Sequence, residues 1–324
     1  MPARSTRSAM MEEGECVKKV FFIFAITLCA ISAAHASYRA IDPGVAKGTL
    51  QVGDETIELK HAYIYRCDNE EELLDGPELR VVLTDREIDH ELLAGFDGAE
   101  RVGALAKEGN LRGILLKFDL RKPVNEASIQ ALSQPSSRLS GTLLFPPPGP
   151  QASLIFFTGS GGETLRSLQS ANNRILGEVQ YQSREEQVTK DTDDFPRFKF
   201  SATFDAPLFQ DEKVTANLVG GAAVRSAPAQ AMLAFERAIR SGDFATVQKL
   251  VTEDKWSEIE SYRAQAGATA FRTIINQMIP PSAQRTRDIK RVVIRGSRAV
   301  ILLQDNGGKT GVTVVNVDKV WKIE

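Results

Sequence analysis

The sequence predicts a two-domain protein, an all-β sandwich followed by an α+β domain, and three observations carry the prediction. The residues beyond position 36 of the 324 are more than a single hydrophobic core ordinarily organises. Residues 47–207 alternate short apolar runs with Gly, Pro and Asn punctuation, the pattern of strands joined by turns. From Ser226 the apolar period lengthens to that of amphipathic helices, and from Ile289 it returns to that of strands.

Residues 1–36 read as a cleavable export signal. Lys18 and Lys19 are its positive region, Val20 to Ile31 its apolar run, and Ala34-His35-Ala36 its small-residue cleavage site. The run is about 12 residues, shorter than the ~20 a membrane-spanning helix needs. Cleavage after Ala36, a mature start at Ser37 and a periplasmic or secreted location are expected. The alternative is a retained anchor, the one expected membrane contact. Leu28 beside Cys29 makes a poor lipidation signal. Only Cys67 remains beyond the leader, so no intramolecular disulfide can form and the core must hold the fold. That fits a bacterial-type envelope better than a disulfide-rich secreted class.

The first domain is expected over 37–207. Gly53-Asp54 marks a hairpin turn between Lys47–Val52 and Glu55–Arg66. In the second strand Ile57, Leu59, His61, Tyr63 and Tyr65 fall on one face. Further strands are predicted at Leu79–Thr84, Leu111–Leu120, Arg138–Phe145, Ser153–Thr158, Ile175–Gln182 and Arg197–Phe204. Residues 86–110 read as an insertion of weak helical character. This many short strands without a long amphipathic helix points to a sandwich. Residues 208–225 are the expected linker.

The second domain is expected over 226–324. Ser226-Ala227-Pro228 starts a helix with a capping hydroxyl and an early proline. Met232, Phe235 and Ile239 recur at helical spacing. Ser241-Gly242-Asp243 ends that helix and caps the next, whose apolar stripe is Phe244, Val247, Leu250 and Val251. A third helical stretch runs from Trp256 to Met278, before Pro280-Pro281. Strands follow at Ile289–Arg295, Arg298–Gln304, Thr310–Val317 and Lys319–Ile323.

Residues here carry a family likeness. Pro228, Ala231 and Phe235 open a helix that leads to Ala-Ile-Arg-Ser-Gly-Asp at 238–243. Gly-Ser-Arg-Ala-Val-Ile at 296–301 starts a hairpin, and the chain closes on Val-Trp-Lys-Ile at 320–323. In this order of elements the segment 226–324 resembles the nuclear transport factor 2-like superfamily. The resemblance implies an α+β roll, helices packed on a curved antiparallel sheet. It covers none of the first domain. The superfamily holds isomerases, dehydratases and non-catalytic binding modules, so the resemblance does not choose a function.

Its catalytic members place Asp, His or Tyr inside the cone, but this segment has no His and no Cys. Tyr262, its one Tyr, reads as a core residue, and Asp243 as a helix cap; Asp288 and Asp305 fall at strand ends or turns. In the first domain Thr158-Gly159-Ser160-Gly161-Gly162, with His61 and Asp119 upstream, is similar to the nucleophile sequence of trypsin-like hydrolases. It departs at the residue before Ser160, which is Gly rather than Asp, and reads better as a turn. It also lacks the Lys-Ser/Thr of a phosphate loop. Asp89-His90-Glu91 has no second His or Cys at zinc spacing. The acidic runs 68–72 and 191–194 lack the alternation of a calcium loop and read as exposed. No cofactor or metal is expected.

Residues 226–324 carry a net charge of +5 and residues 37–225 one of −8, an opposition hidden by the whole-chain −2. Arg285, Arg287, Lys290, Arg291, Arg295 and Arg298 form a basic cluster, a candidate binding patch or a charged strand edge. Without interleaved aromatics, and with export expected, nucleic acid is not its expected partner. An anionic lipid or glycan, or the acidic first domain, fits better. The sequence therefore predicts an exported, non-catalytic envelope protein acting by ligand or protein binding. The alternatives are a lyase or isomerase in the C-terminal cavity, or a hydrolase at Ser160.

Overall fold

A computed structural model describes residues 44–121, 124–134, 136–147, 154–183, 197–305 and 308–324. The segment 1–36, expected to be an export signal, and the acidic run 191–194 lie outside them. The first unit contains β1 (Gly44–Val52), β2 (Glu55–Cys67), β3 (Glu78–Thr84), α1 (Gly98–Lys107), β4 (Gly113–Asp119), α2 (Glu126–Gln130), β5 (Arg138–Leu144), β6 (Ile155–Ser160), α3 (Gly161–Thr164), β7 (Leu165–Ala171), β8 (Arg174–Gln182) and β9 (Phe198–Gln210). A 3-10 turn spans His90–Leu93.

The strands expected to divide between two sheets are hydrogen-bonded into one. Its order is β6-β5-β4-β3-β2-β1-β9-β8-β7. The sheet curls so that its two ends meet: the Phe157 ring on β6 lies 4.5 Å from Tyr181 on β8 and 5.3 Å from Phe198 on β9. Burying a side chain of this size contributes about 1.5–3 kcal/mol, enough to favour the curl over a flatter sheet. The alternating face of each strand fills the enclosed core, from Leu50 and Leu59 to Phe200 and Phe204.

β2 departs from simple alternation. Ile57 and Leu59 enter the main core, whereas Tyr63 and Tyr65 join a second cluster with Val102 and Ala106 of α1. The β1–β2 register shifts between Val45 and Gly48, beside His61, and such an irregularity turns later side chains to the other face. The insertion at 86–110 thus contains a true helix, α1, which covers that face. Beyond its pairing with β1, the far half of β2 pairs with the end of β9, in parallel, Tyr65 opposite Phe209.

The second unit contains β10 (Val214–Val219), α4 (Gly220–Arg225), α5 (Ala227–Ser241), α6 (Phe244–Leu250), α7 (Glu253–Ala266), α8 (Ala268–Met278), α9 (Ser282–Asp288), β11 (Ile289–Arg295), β12 (Arg298–Asp305), β13 (Gly308–Val317) and β14 (Val320–Ile323). The strands form a five-stranded antiparallel meander in chain order. The span read as a linker is built as the end of β9, then β10, then α4.

Ser226 caps α5 through Ala229 N at 3.4 Å, and Asp243 caps α6 through Thr246 N at 3.1 Å. The expected third helix is two helices, divided at Gly267, whose φ of 78° only glycine adopts cheaply. Met232 and Ile239 of α5 and Phe271 and Ile275 of α8 pack on Val292, Ile301, Val314 and Ile323 of the sheet. No helix among the described residues is long and apolar enough to cross a membrane.

Candidate functional site

The two units touch where the loops before β3 and before α1 lie across β11–β13. Arg291 donates to Glu70 O at 3.1 Å and to Glu72 at 3.2 Å, and Arg295 pairs with Glu71 at 2.9 Å. Leu73 and Phe96 lie so close over Gly311 that a Cβ there would sit 2.6 Å and 2.7 Å from them. Beside this contact a cleft of about 1010 Å³ opens, walled by β2, the 89–97 loop and residues 209–212 on one side and by β11–β14 and the start of α7 on the other. That volume suits a small-molecule or peptide-sized guest.

Two buried arginines hold the 89–97 wall. Arg80 on β3, fully buried, donates to Leu93 O at 2.9 Å, Gly95 O at 2.5 Å and Phe96 O at 3.1 Å, with Glu78 as its counter-ion. Arg101 on α1 donates to Leu92 O at 3.2 Å and to Ala94 O, and pairs with Asp97 at 2.6 Å. Asp89 caps the 3-10 turn through Glu91 N at 3.0 Å. Loop carbonyls that water would otherwise serve are thus satisfied by guanidinium groups, which makes the wall rigid.

Beneath this wall Tyr65 donates to Asp211 Oδ1 at 2.6 Å, and the same oxygen accepts Gly95 N at 2.9 Å. Asp211 Oδ2 and Glu71 Oε2 are buried and find no hydrogen-bond partner among the described residues. Such orphaned acceptors cost roughly 1–3 kcal/mol each, which marks the region as one not built for stability alone. At the rim His90 stacks on Phe209 at 4.6 Å. On the opposite wall Arg298 donates to Glu324 at 2.8 Å.

Burial, helped by Asp211, pushes the Tyr65 hydroxyl far above its ordinary range. Burial also pushes the Cys67 thiol up to about 12, so Cys67 is no nucleophile. It holds the Glu71 carboxyl above the usual carboxylate range despite Arg295. For Asp97 burial acts upward, but Arg101 and Arg298 outweigh it and keep the carboxyl below its usual range. With Tyr65 held protonated and the arginines held charged, these groups are suited to fixing polar partners.

The basic cluster is dispersed. Arg285 pairs at 2.8 Å with Glu236 on α5, inside the second unit. Arg287 and Lys290 donate to the carbonyls of Ala283 and Arg287. Arg291, Arg295 and Arg298 face the first unit or Glu324. Glu236 and Asp288 are both buried, each with one oxygen lacking a hydrogen-bond partner among the described residues. Tyr262 packs on Phe271 at 5.8 Å.

Ser160, His61 and Asp119 are not brought together. Ser160 on β6 and Asp119 on β4 lie at the same end of the sheet but two strands apart, roughly 10 Å along it. His61, opposite Thr84, lies at the other end. Among the described residues no three His, Cys, Asp or Glu side chains converge as a metal site.

Sequence reasoning missed Tyr65, Glu71, Arg80, Arg101 and Asp211. Glu71 belongs to a run expected to be exposed, yet it is only 2% accessible. Two arginines within short apolar stretches, in Leu79-Arg80-Val81 and Arg101-Val102, were the available signal, since buried arginine requires partners. Comparison with protein-family models, with curated proteins and with solved structures gives no match.

Proposed function

We propose that this chain is an exported, non-catalytic binding protein whose ligand occupies the cleft between the two sheets. The observation that supports it is the cleft itself, about 1010 Å³, with walls drawn from both units and buried polar groups fixed in its floor. In this reading residues 1–36 direct export to the periplasm or the exterior. The curled first sheet serves as a sandwich closed from one sheet. The second unit is a nuclear transport factor 2-like roll used as a wall of the site rather than as a catalytic cone.

The rival reading is an acid–base enzyme within the second unit. Glu236 and Asp288 are its available buried carboxylates, and Glu236 is already committed to Arg285 at 2.8 Å. Burial outweighs Arg285 and holds the Glu236 carboxyl above the usual range, so this rival is separated from the binding reading by experiment.

A cleft-filling variant tests it. Val317 lines the cleft and is 38% exposed, so Val317→Trp narrows the site without disturbing a core. The full chain is screened by thermal shift with 1,4-diaminobutane, 1,4-butanediol and succinate. At least one probe should raise the melting temperature of the wild type and fail to do so for Val317→Trp. No shift with any probe, or equal shifts in both proteins, contradicts the proposal.

A further inference from the structure

The two units are joined covalently by Asp211, Glu212 and Lys213, between the end of β9 at Gln210 and the start of β10 at Val214. The polar contact lies at this connection: Arg295 donates to Glu212 O at 2.8 Å and pairs with Glu71 at 2.9 Å. Elsewhere in the interface Asp97 accepts from Thr313 Oγ1 at 3.4 Å, and Leu73 and Phe96 lie over Gly311. A short connection with a polar contact beside it is the layout of a hinge and a latch, in which a small change at the latch alters the spacing of the units.

Glu71 is the buried carboxyl of this latch. From β11, Arg295 and Arg291 face its loop, Arg291 being taken by Glu70 O and Glu72. From β13, Lys309 reaches Glu72 at 3.9 Å, and on the first unit Arg66 is taken by Asp68 at 2.9 Å. Behind Asp211 stand Tyr65 and Cys67, which burial keeps protonated, and Arg80, which is committed to Glu78. Two buried carboxylates, Glu71 and Asp211, therefore share the charge of Arg295. Each has one buried oxygen without a hydrogen-bond partner among the described residues.

A proton on Glu71 removes one negative charge and turns one of these acceptors into a donor. Arg295 is not stranded by it, because the guanidinium keeps Glu212 O and the charge of Asp211. Once the units part, Glu71 meets water and holds a proton no more tightly than a free carboxyl. The docked arrangement thus binds this proton more tightly than the parted one, and by linkage the proton favours docking.

We propose that Glu71 is a proton-operated latch: proton uptake there seats the first unit's loops on β11–β13 and narrows the cleft, and proton loss lets the units part. The latch needs no guest and stands apart from the reading of the cleft as a binding site. Burial, outweighing Arg295, holds the docked carboxyl above its usual range, so docking tightens as pH falls from above that value towards the ordinary 4.5. Asp97 does not oppose this: burial raises its carboxyl, but Arg101 and Arg298 keep it below 3.8, so it stays charged throughout that descent.

Solution scattering and the methyl resonances of Leu73, followed on the full chain over the same descent, test the latch. In wild type the radius of gyration should fall and the Leu73 signals should move with it, at one midpoint above 4.5. Glu71→Gln, whose amide stands in for the neutral acid, should be compact with docked Leu73 signals at every pH. Asp211→Asn should keep the transition and shift its midpoint down, because a repelling charge is gone. Glu72→Gln, at the exposed neighbour, should keep the transition. Circular dichroism checks that each variant is folded, and if Glu71→Gln is not, the Asp211→Asn midpoint decides. No transition in wild type, expansion as pH falls, a transition that persists in folded Glu71→Gln or is lost in Glu72→Gln, or a midpoint that Asp211→Asn fails to lower overturns the proposal.

Discussion

Arg295 Nη2 lies 2.9 Å from Glu71 Oε1, and this pair, 224 residues apart in the chain, joins the two units. Both side chains are largely removed from water, at 11% and 2% exposure. A buried pair of this kind adds little net stability over an apolar replacement, but breaking it leaves a buried charge alone.

Removing one partner should therefore be costly and removing both should not. Arg295→Ala is expected to lose about 3 kcal/mol in urea unfolding, whereas Arg295→Met with Glu71→Leu should recover most of it. Additive losses from the two sites would show that the pair does not couple the units.

Glu71 gives the pair a pH signature. Its carboxyl is held above the usual range by burial, so the native state takes up this proton before the unfolded chain does. The group's contribution to stability then rises as pH falls from above its folded value towards the ordinary 4.5. Wild type should gain stability relative to Glu71→Gln over that descent, read from urea midpoints. A gap that does not move with pH would contradict the assignment.

Asp97 should behave with the opposite sign. Burial raises its carboxyl, but Arg101 and Arg298 pull it below 3.8, so it stabilises the fold fully above that value. Asp97→Asn is expected to lose about 1–3 kcal/mol at neutral pH, with the loss shrinking as pH falls through the folded value. Persistence of the full loss in strong acid would place its cause elsewhere.

Gly311 tests the docking surface. Any side chain there meets Leu73 and Phe96 at under 3 Å. Gly311→Val should cost about 1–3 kcal/mol and increase the radius of gyration in solution scattering, because the loops before β3 and α1 can no longer seat. An unchanged scattering curve would mean that the two units do not meet at this point.

The parts legible in the sequence were those set by local rules. The Ser226 and Asp243 caps and the strands from Ile289 onward follow from spacing and capping chemistry, and the structure keeps them. β7 was missed because only Leu165 and Leu168 mark it as buried. The split of the third helix turned on Gly267, a residue the apolar period passes over. The site was illegible for a different reason. Tyr65 meets Asp211 only because the end of β9 runs beside the far half of β2, and Glu71 is buried only because β11 presents Arg295. Neither event leaves a local pattern, so an acidic run and a stripe of tyrosines looked like loop and core.

Export has a direct readout. If the leader is cut as its Ala34-His35-Ala36 site predicts, N-terminal sequencing of the exported chain should begin at Ser37. A start at or before Val20 would indicate retention of the apolar run.

Methyl chemical-shift mapping with 1,4-diaminobutane, 1,4-butanediol and succinate tests the central claim most directly, because it locates binding without prior choice of site. The cleft account predicts that the probe which binds shifts Leu92 and Ala94 on one wall together with Val300, Val315 and Val317 on the other. Shifts confined to Met232, Leu233 and Ile289, the methyl groups around Glu236 and Asp288, would contradict it and move the site into the interior of the second unit.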